Sequence, residues 1–324
     1  MYLLRISPPR NGNVHIDLQF FFVYQLSYAI SFANEGQRCQ DKAKHSHAFF
    51  GALLHLIISK KHLCVTNKTN MDRILRGIMR YRVLDRASMV KQFQQVKDNP
   101  VPKAIFYTCM DSRMIPTRFT ETSVGDMFVI RNAGNVIPHS EYFLDEMTSC
   151  EPAGLELACI INNIRHIIVC GHSDCKAMNL LYKLKSKEES SKEQRRISPL
   201  KSWLCNHGES SLRKFLAMNG DFSKPMLFSA ETPHRKFVAY IDPDNTFCIE
   251  DKLSQVNTLQ QLQNVASYGI LKKRLEKHDL HIHALWFDIY TGDIYYFSRR
   301  AKRFIIIDES TYEEILAEIR RYYS

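Results

Sequence analysis

The chain has 324 residues, of which 45% are apolar and 24% charged, as in an ordinary globular protein. These proportions exclude a wholly disordered chain, a collagen-like repeat and a polytopic membrane protein. The formal charge is +10, and residues 1–70, with eight Lys or Arg and three Asp or Glu, carry half of it. The other 254 residues are only mildly basic, so we predict no nucleic-acid partner.

The nine cysteines are odd in number and scattered along the chain. A small secreted domain would have a dense, even set of cysteines that form disulfides. The pattern therefore favours a reducing compartment, with some thiols free and buried and others available to bind a metal.

Residues 1–70 differ from the rest of the chain. Their two apolar stretches, residues 20–33 and 48–58, are shorter than the roughly 20 residues of a membrane-spanning helix, which predicts no stable membrane insertion. A secretory signal is an alternative, because Arg5 and Arg10 precede the first stretch. We predict that residues 1–70 form a poorly ordered N-terminal extension, and that residues 71–324 form a single domain.

The segment MDRILRGIMRYR, which begins at Met71, distributes four arginines around apolar residues. This pattern is typical of a mitochondrial presequence, but it also fits an ordinary surface helix whose arginines are solvated. The predicted location is therefore mitochondrial or cytoplasmic, depending on whether translation starts at Met1 or Met71.

From residue 100 onward, short apolar runs alternate with helical segments. Residues 103–109, 127–132 and 166–170 are predicted to be buried strands, and Pro152 is predicted to open a helix that extends to about residue 163. Residues 183–196 are highly charged and predicted to be exposed. Later predictions are helices at 199–218, 253–277 and 311–322, a hairpin at 283–297 and a strand at 304–307. This order predicts an α/β fold with a mainly parallel sheet flanked by helices.

Two short motifs follow predicted strands directly. The first is Cys109-x-Asp111-x-Arg113, and the second is His172-x-x-Cys175. In open parallel sheets, functional residues gather at the carboxyl ends of strands, so the two motifs are expected to meet if their strands are neighbours. Two thiolates and one imidazole suit zinc, and three protein ligands leave a fourth position open, as in catalytic sites.

An open zinc site indicates chemistry that uses an activated water molecule, because zinc lowers the pKa of bound water to about 7. Asp111 is predicted to orient the resulting hydroxide by accepting its hydrogen bond, and Arg113 to hold Asp111 in place. Each motif alone is weak evidence, since free cysteines and Asp–Arg pairs are common. Phosphatase, zinc deaminase, dinucleotide-binding and P-loop signatures are all missing from the sequence.

From about Met71 to the C-terminus, the chain resembles the β-class carbonic anhydrases, particularly those of animals. The resemblance lies in four segments: CMDSR (109–113), GDMFVIRNAGN (125–135), EPAGLELA (151–158) and HIIVCGHSDCKAM (166–178). It implies a core of four parallel strands with one further strand, and reversible hydration of carbon dioxide to bicarbonate and a proton by metal-bound hydroxide. It also implies a homodimer or higher homo-oligomer.

The resemblance further implies one zinc ion per subunit on Cys109, His172 and Cys175, beside the pair Asp111 and Arg113. Phe128 and Ala133 match family positions that form an apolar wall beside the metal, although Phe128 could equally be a core residue. Two alternative functions are left open: a related zinc hydrolase that acts on carbon disulfide, and a non-enzymatic basic binding module with structural zinc.

Overall fold

The structure, a computed structural model, describes residues 70–142, 149–186, 188, 190–229 and 236–323. The predicted disorder of residues 1–70 thus concerns a segment that, apart from Asn70, lies outside the described residues. The chain divides into two units, Met1–Val83 and Leu84–Ser324. The first helix, α1 (Asn70–Leu84), has no buried residue, and its arginines and apolar side chains are exposed.

A six-stranded mixed sheet forms the centre of the second unit. Its strands are β1 (Ala104–Cys109), β2 (Met127–Asn132), β3 (His166–His172), β6 (His281–Phe287), β7 (Ile294–Ser298) and β8 (Arg303–Ile306). Their order is β2-β1-β3-β6-β7-β8, and the first four are parallel. The predicted α/β class and parallel core are confirmed. Two antiparallel strands extend the core, where the family resemblance implied one.

Helices cover the sheet and connect its strands. After α2 (Arg86–Lys97), the described helices follow in chain order: α3 (Pro116–Phe119), α4 (Cys150–Leu155), α5 (Lys176–Lys183), α6 (Lys192–Ile197), α7 (Pro199–His207), α8 (Glu209–Leu216), α9 (Ile249–Ala266), α10 (Gly269–Glu276) and α11 (Tyr312–Tyr323). A small antiparallel pair, β4 (Met226–Phe228) and β5 (Phe237–Ala239), was not predicted from the sequence.

Three predicted helices differ from the structure. Residues 199–218 form two helices that meet at Gly208, and residues 253–277 are divided between α9 and α10, with a break before Gly269. The helix predicted at 152–163 begins as α4 and continues as a π-helix, Glu156–Ile161, which ends with an Asn162 N–H bond to the Leu157 carbonyl. In each case the apolar periodicity continues across a change in backbone hydrogen bonding.

The sheet and helix α9 pack together very closely beside the end of β3. A Cβ added at Gly171 would lie 2.0 Å from Thr258 Oγ1, so only glycine permits this approach. The β1 residues Ile105 and Tyr107 belong to the main core with Leu259 of α9, whereas Phe106 lies in a smaller cluster. The two faces of β1 are therefore both buried, as its continuous apolar sequence predicts.

Within the described part of the chain, no helix combines the length and the apolar character that crossing a bilayer requires.

Candidate metal centre and active site

The three predicted metal ligands lie at the carboxyl edge of the parallel sheet. Cys109 is the last residue of β1 and His172 is the last residue of β3, and these two strands are neighbours. Cys175 lies three residues beyond His172, immediately before helix α5. The sheet therefore brings the two motifs together, as their positions after predicted strands indicated.

The distances between the ligand atoms fit a single zinc ion. The Sγ atoms of Cys109 and Cys175 are 3.9 Å apart, and all three ligand atoms lie within 4.8 Å of one another. Tetrahedral zinc with Zn–S bonds of about 2.3 Å would separate two sulfur ligands by about 3.8 Å. All three side chains are buried, so bulk water has little access to their ligand atoms.

The imidazole of His172 is oriented for metal binding through its Nε2 atom. Its Nδ1 lies 2.7 Å from the carbonyl oxygen of Ser173, which can only accept, so Nδ1 carries the proton. Nε2 is buried and has no hydrogen-bond partner, although a buried polar atom normally has one. Ser254 of helix α9 also donates a hydrogen bond to the His172 carbonyl at 2.7 Å. Nε2 is therefore the ring atom left to bind a metal, and it lies within 4.8 Å of both cysteine sulfurs.

The two thiols share a strongly asymmetric environment. The hydrogen bond between the two sulfurs lowers the pKa of Cys109 below its ordinary value, and the same contact, together with burial, raises the pKa of Cys175. One thiolate with one thiol is the expected state of such a close buried pair. Zinc requires both sulfurs as thiolates, so its binding would release the remaining proton.

Asp111 and Arg113 form a bidentate ion pair beside the ligands. Arg113 donates from Nε and Nη2 to the two carboxylate oxygens of Asp111 at 2.9 and 2.8 Å. The Arg113 backbone N–H also donates to Asp111 Oδ1 at 3.0 Å. These bonds hold the pKa of Asp111 well below its usual range, so the carboxylate is ionised and acts only as an acceptor.

The two predicted pocket residues lie on β2 and in the loop that follows it. Phe128 is half-buried, pairs in register with Ile105 of β1 and packs against the main core. The carbonyl of Ala133 accepts a hydrogen bond from Trp203 Nε1 at 3.0 Å. Both positions fit a core or loop-supporting role, and their place in a substrate wall stays a prediction.

A row of buried amide side chains on α9 was not identified from the sequence. Asn257 donates to the Gly134 carbonyl at 3.0 Å, Gln261 accepts from the Ile137 N–H at 2.7 Å, and Asn264 donates to the Ile137 carbonyl at 2.8 Å. These bonds fix the loop that contains Ala133 to the central helix.

The helical spacing of these amide residues is the one feature of the sequence that indicates the row. Asn257, Gln261 and Asn264 are spaced by four and three residues, which places them on one face of a helix. Polar residues recurring on a helix that is otherwise rich in core positions indicate buried hydrogen-bond partners rather than solvent.

Comparison with known proteins gives a consistent result. The family model for carbonic anhydrase matches residues 104–294. The chain is 48% identical over 257 residues to β carbonic anhydrase 1 of Caenorhabditis elegans, which covers 78% of this chain and 94% of the relative. It is 31% identical over 224 residues to a carbonic anhydrase of Synechocystis, covering 69% of this chain and 70% of the relative.

This chain belongs to the β-carbonic anhydrase family. Among solved structures, the β-carbonic anhydrase CcaA is similar with a TM-score of 0.58 and 28% identity, covering 75% of this chain and 94% of that one. The predicted enzyme class, a zinc lyase that hydrates carbon dioxide, is confirmed by this membership together with the Cys-His-Cys group. The binding-module and carbon disulfide alternatives are not favoured.

Proposed function

We propose that each subunit binds one zinc ion through Cys109, His172 and Cys175 and hydrates carbon dioxide reversibly to bicarbonate and a proton. The observation that carries this proposal is the convergence of two sulfurs and the unpaired Nε2 of His172 within 4.8 Å. Three protein ligands leave a fourth tetrahedral position for solvent, as catalytic zinc requires.

Zinc bound here would supply a nucleophile at neutral pH, because it lowers the pKa of a bound water molecule to about 7. Asp111 is ionised, so it can accept the nucleophile's hydrogen bond but cannot donate one. Accepting that bond would direct an oxygen lone pair toward the carbon of the substrate. Asp111 is thus the proposed orienting residue.

Arg113 is proposed to fix the direction of the Asp111 carboxylate. Its side chain and its backbone N–H together fill both lone pairs of Asp111 Oδ1 and one lone pair of Oδ2, which leaves one lone pair of Oδ2 for the nucleophile. Phe128 and Ala133 are proposed to line the substrate side, because uncharged carbon dioxide needs an apolar surface rather than hydrogen-bond donors. The released proton would leave through water or buffer.

The decisive test measures zinc content and stopped-flow hydration of carbon dioxide on the full chain. We expect about one zinc per subunit, and we expect Cys175→Ala to lose both metal and turnover. The matched control is Cys170→Ala, which removes a fully buried thiol of β3, five residues before Cys175. Retention of zinc and normal turnover by Cys175→Ala would refute the proposal, and carbon disulfide assayed in parallel should give no comparable rate.

We also propose that the chain assembles as a homodimer or a higher homo-oligomer. Membership of the family supports this assembly. Light scattering of the purified full chain should give at least twice the subunit mass of 37.8 kDa. A monomeric mass at micromolar concentration would contradict the proposal.

The location is proposed to be mitochondrial or cytoplasmic, according to the start of translation. The arginines of α1, which Met71 would place at the N-terminus, support import of the shorter chain. Fluorescent fusions that begin at Met1 and at Met71 should separate the two locations, and secretion of either fusion would contradict both.

A further inference from the structure

Asp174 occupies the turn between two of the proposed zinc ligands, His172 and Cys175. Its backbone has a φ of 50°, which favours asparagine, aspartate or glycine at this position. Its N–H donates to Asp251 Oδ1 of helix α9 at 2.7 Å. This hydrogen bond ties the turn to the helix that packs against β3.

The carboxylate of Asp174 contacts the guanidinium of Arg113 across the site. Arg113 Nη1 lies 2.9 Å from Asp174 Oδ2, and Arg113 Nη2 donates to the Asp174 carbonyl oxygen at 3.2 Å. The other Asp174 oxygen accepts a bond from Lys176 Nζ at 2.7 Å. Arg113 is therefore held by two aspartates, one on each of the loops that follow β1 and β3.

The pair Asp111 and Arg113 is local, because its members are two residues apart on one loop. A local pair keeps its own geometry even when the loop moves, so it does not by itself set the distance between Asp111 and the ligands. The contact with Asp174 joins this loop to the one that contains His172 and Cys175. A rigid second contact of this kind is how supporting residues keep a catalytic group in place.

We propose that Asp174 is a positioning residue, which holds Arg113 and through it sets the place of Asp111 relative to the metal ligands. This inference rests on the proposed roles of Asp111 and Arg113. Lys176, whose side chain is 74% exposed, contacts Asp174 from the solvent side and does not contribute to the link between the two loops.

The first test uses Asp174→Gly, which accepts the positive φ and removes the carboxylate. We expect kcat to fall about fivefold with zinc content unchanged, a size in keeping with a partly exposed ion pair. Asp174→Asn keeps an uncharged acceptor and should restore part of the loss. The matched control, Lys176→Gln, should leave kcat within twofold. An unchanged kcat in Asp174→Gly, or loss of zinc in both Asp174 variants, would overturn the proposal.

A double-mutant cycle separates positioning through Arg113 from a general effect on the loop. In an Arg113→Ala background, Asp174→Gly should lower kcat no further, since its effect passes through the missing guanidinium. Additive losses would refute the inference. If Asp111→Asn and Arg113→Ala themselves leave kcat unchanged, the proposed function of the pair fails instead.

A crystal structure of Asp174→Gly, which removes the acceptor altogether, gives a readout that is independent of turnover. Displacement of the Arg113 side chain together with the Asp111 carboxylate supports the proposal. Unchanged positions of both side chains would overturn it.

Discussion

Histidines lie at both edges of the parallel sheet, but their surroundings differ. At the carboxyl edge, His172 ends β3 and presents an unpaired Nε2 to two cysteines. At the amino edge, His166 begins the same strand, and its Nδ1 lies 3.1 Å from Nε2 of His283 on β6. A ring nitrogen that is already hydrogen-bonded to another ring has no lone pair directed at a shared point.

The difference shows that residue type alone does not make a metal site. Among the described residues, the Cys-His-Cys group is the one set of three potential ligands whose atoms converge within 4.8 Å. At the carboxyl edge, Cys109 and His172 end neighbouring strands, and the turn after His172 adds Cys175 to them. At the amino edge, His166 and His283 are hydrogen-bonded to each other instead.

The largest expected effect comes from replacing one histidine at a time, first at the carboxyl edge and then at the amino edge. His172→Ala should lose zinc and turnover completely, because its Nε2 is one of three ligands. His166→Ala removes the same ring from the other end of β3 and should keep both. Elemental analysis measures the zinc content of the two variants, and stopped-flow hydration measures their turnover. Equal zinc content in both would contradict the proposed difference between the two edges.

The next effect concerns charge at the two edges. Asp111→Asn should keep zinc but lower kcat by about 100-fold, since an amide can no longer serve as an acceptor-only group. Asp126→Asn makes the same change just before β2, where Asp126 pairs with exposed Lys103, and should leave kcat unchanged. Similar kinetics for the two variants would remove the functional distinction between the edges.

An intermediate effect should appear in acid. Burial lowers the pKa of His283 from 6.5 to about 3, with further lowering from His166, His281 and Arg299. The folded state thus binds fewer protons than the unfolded state below pH 6.5, and stability falls as the pH decreases. Between pH 7 and pH 5, the protonation of this histidine in the unfolded state should lower the free energy of unfolding by about 2 kcal/mol.

Urea unfolding at pH 7 and 5 tests this prediction on the full chain. His283→Gln has no titrating ring, so its loss of stability between the two pH values should be smaller than that of the parent by about 2 kcal/mol. Parallel losses in the two proteins would show that the histidines of the amino edge do not govern acid sensitivity.

The smallest effect is expected for the surface pair Lys103–Asp126. The two charged atoms lie 2.8 Å apart, but the lysine side chain is 73% exposed, so solvent screens their attraction. Lys103→Ala should lower the free energy of unfolding by less than about 1 kcal/mol, and added salt should reduce the difference. A larger loss would mean that this edge depends on charge as strongly as the other.

Much of the metal centre was predictable because its information is local. Cys109 and His172 each end a short buried strand, and the parallel pairing of the two strands brings these side chains to the same edge of the sheet. The supporting contacts were not predictable in the same way, since Gln261 and the Ile137 N–H are 124 residues apart. Their pairing depends on how helix α9 lies against the loop, which no periodicity encodes.

The helix breaks illustrate the same limit. Gly208 and the segment before Gly269 interrupt patterns whose apolar spacing continues, so tertiary packing decides where each helix ends. The four-strand core followed from the alternation of strands and helices. The hairpin predicted at 283–297 and the strand predicted at 304–307 are also present, as β6, β7 and β8, although the family resemblance implied one strand beyond the core.

The close approach at Gly171 has a consequence for biosynthesis. Thr258 sits where any side chain at residue 171 would be, and Ser254, one turn earlier, holds the carbonyl of His172. The segment that supplies all three ligands leaves the ribosome about 80 residues before this helix does. We therefore expect the nascent chain to capture its metal late, once the helix has docked, rather than as the ligands emerge.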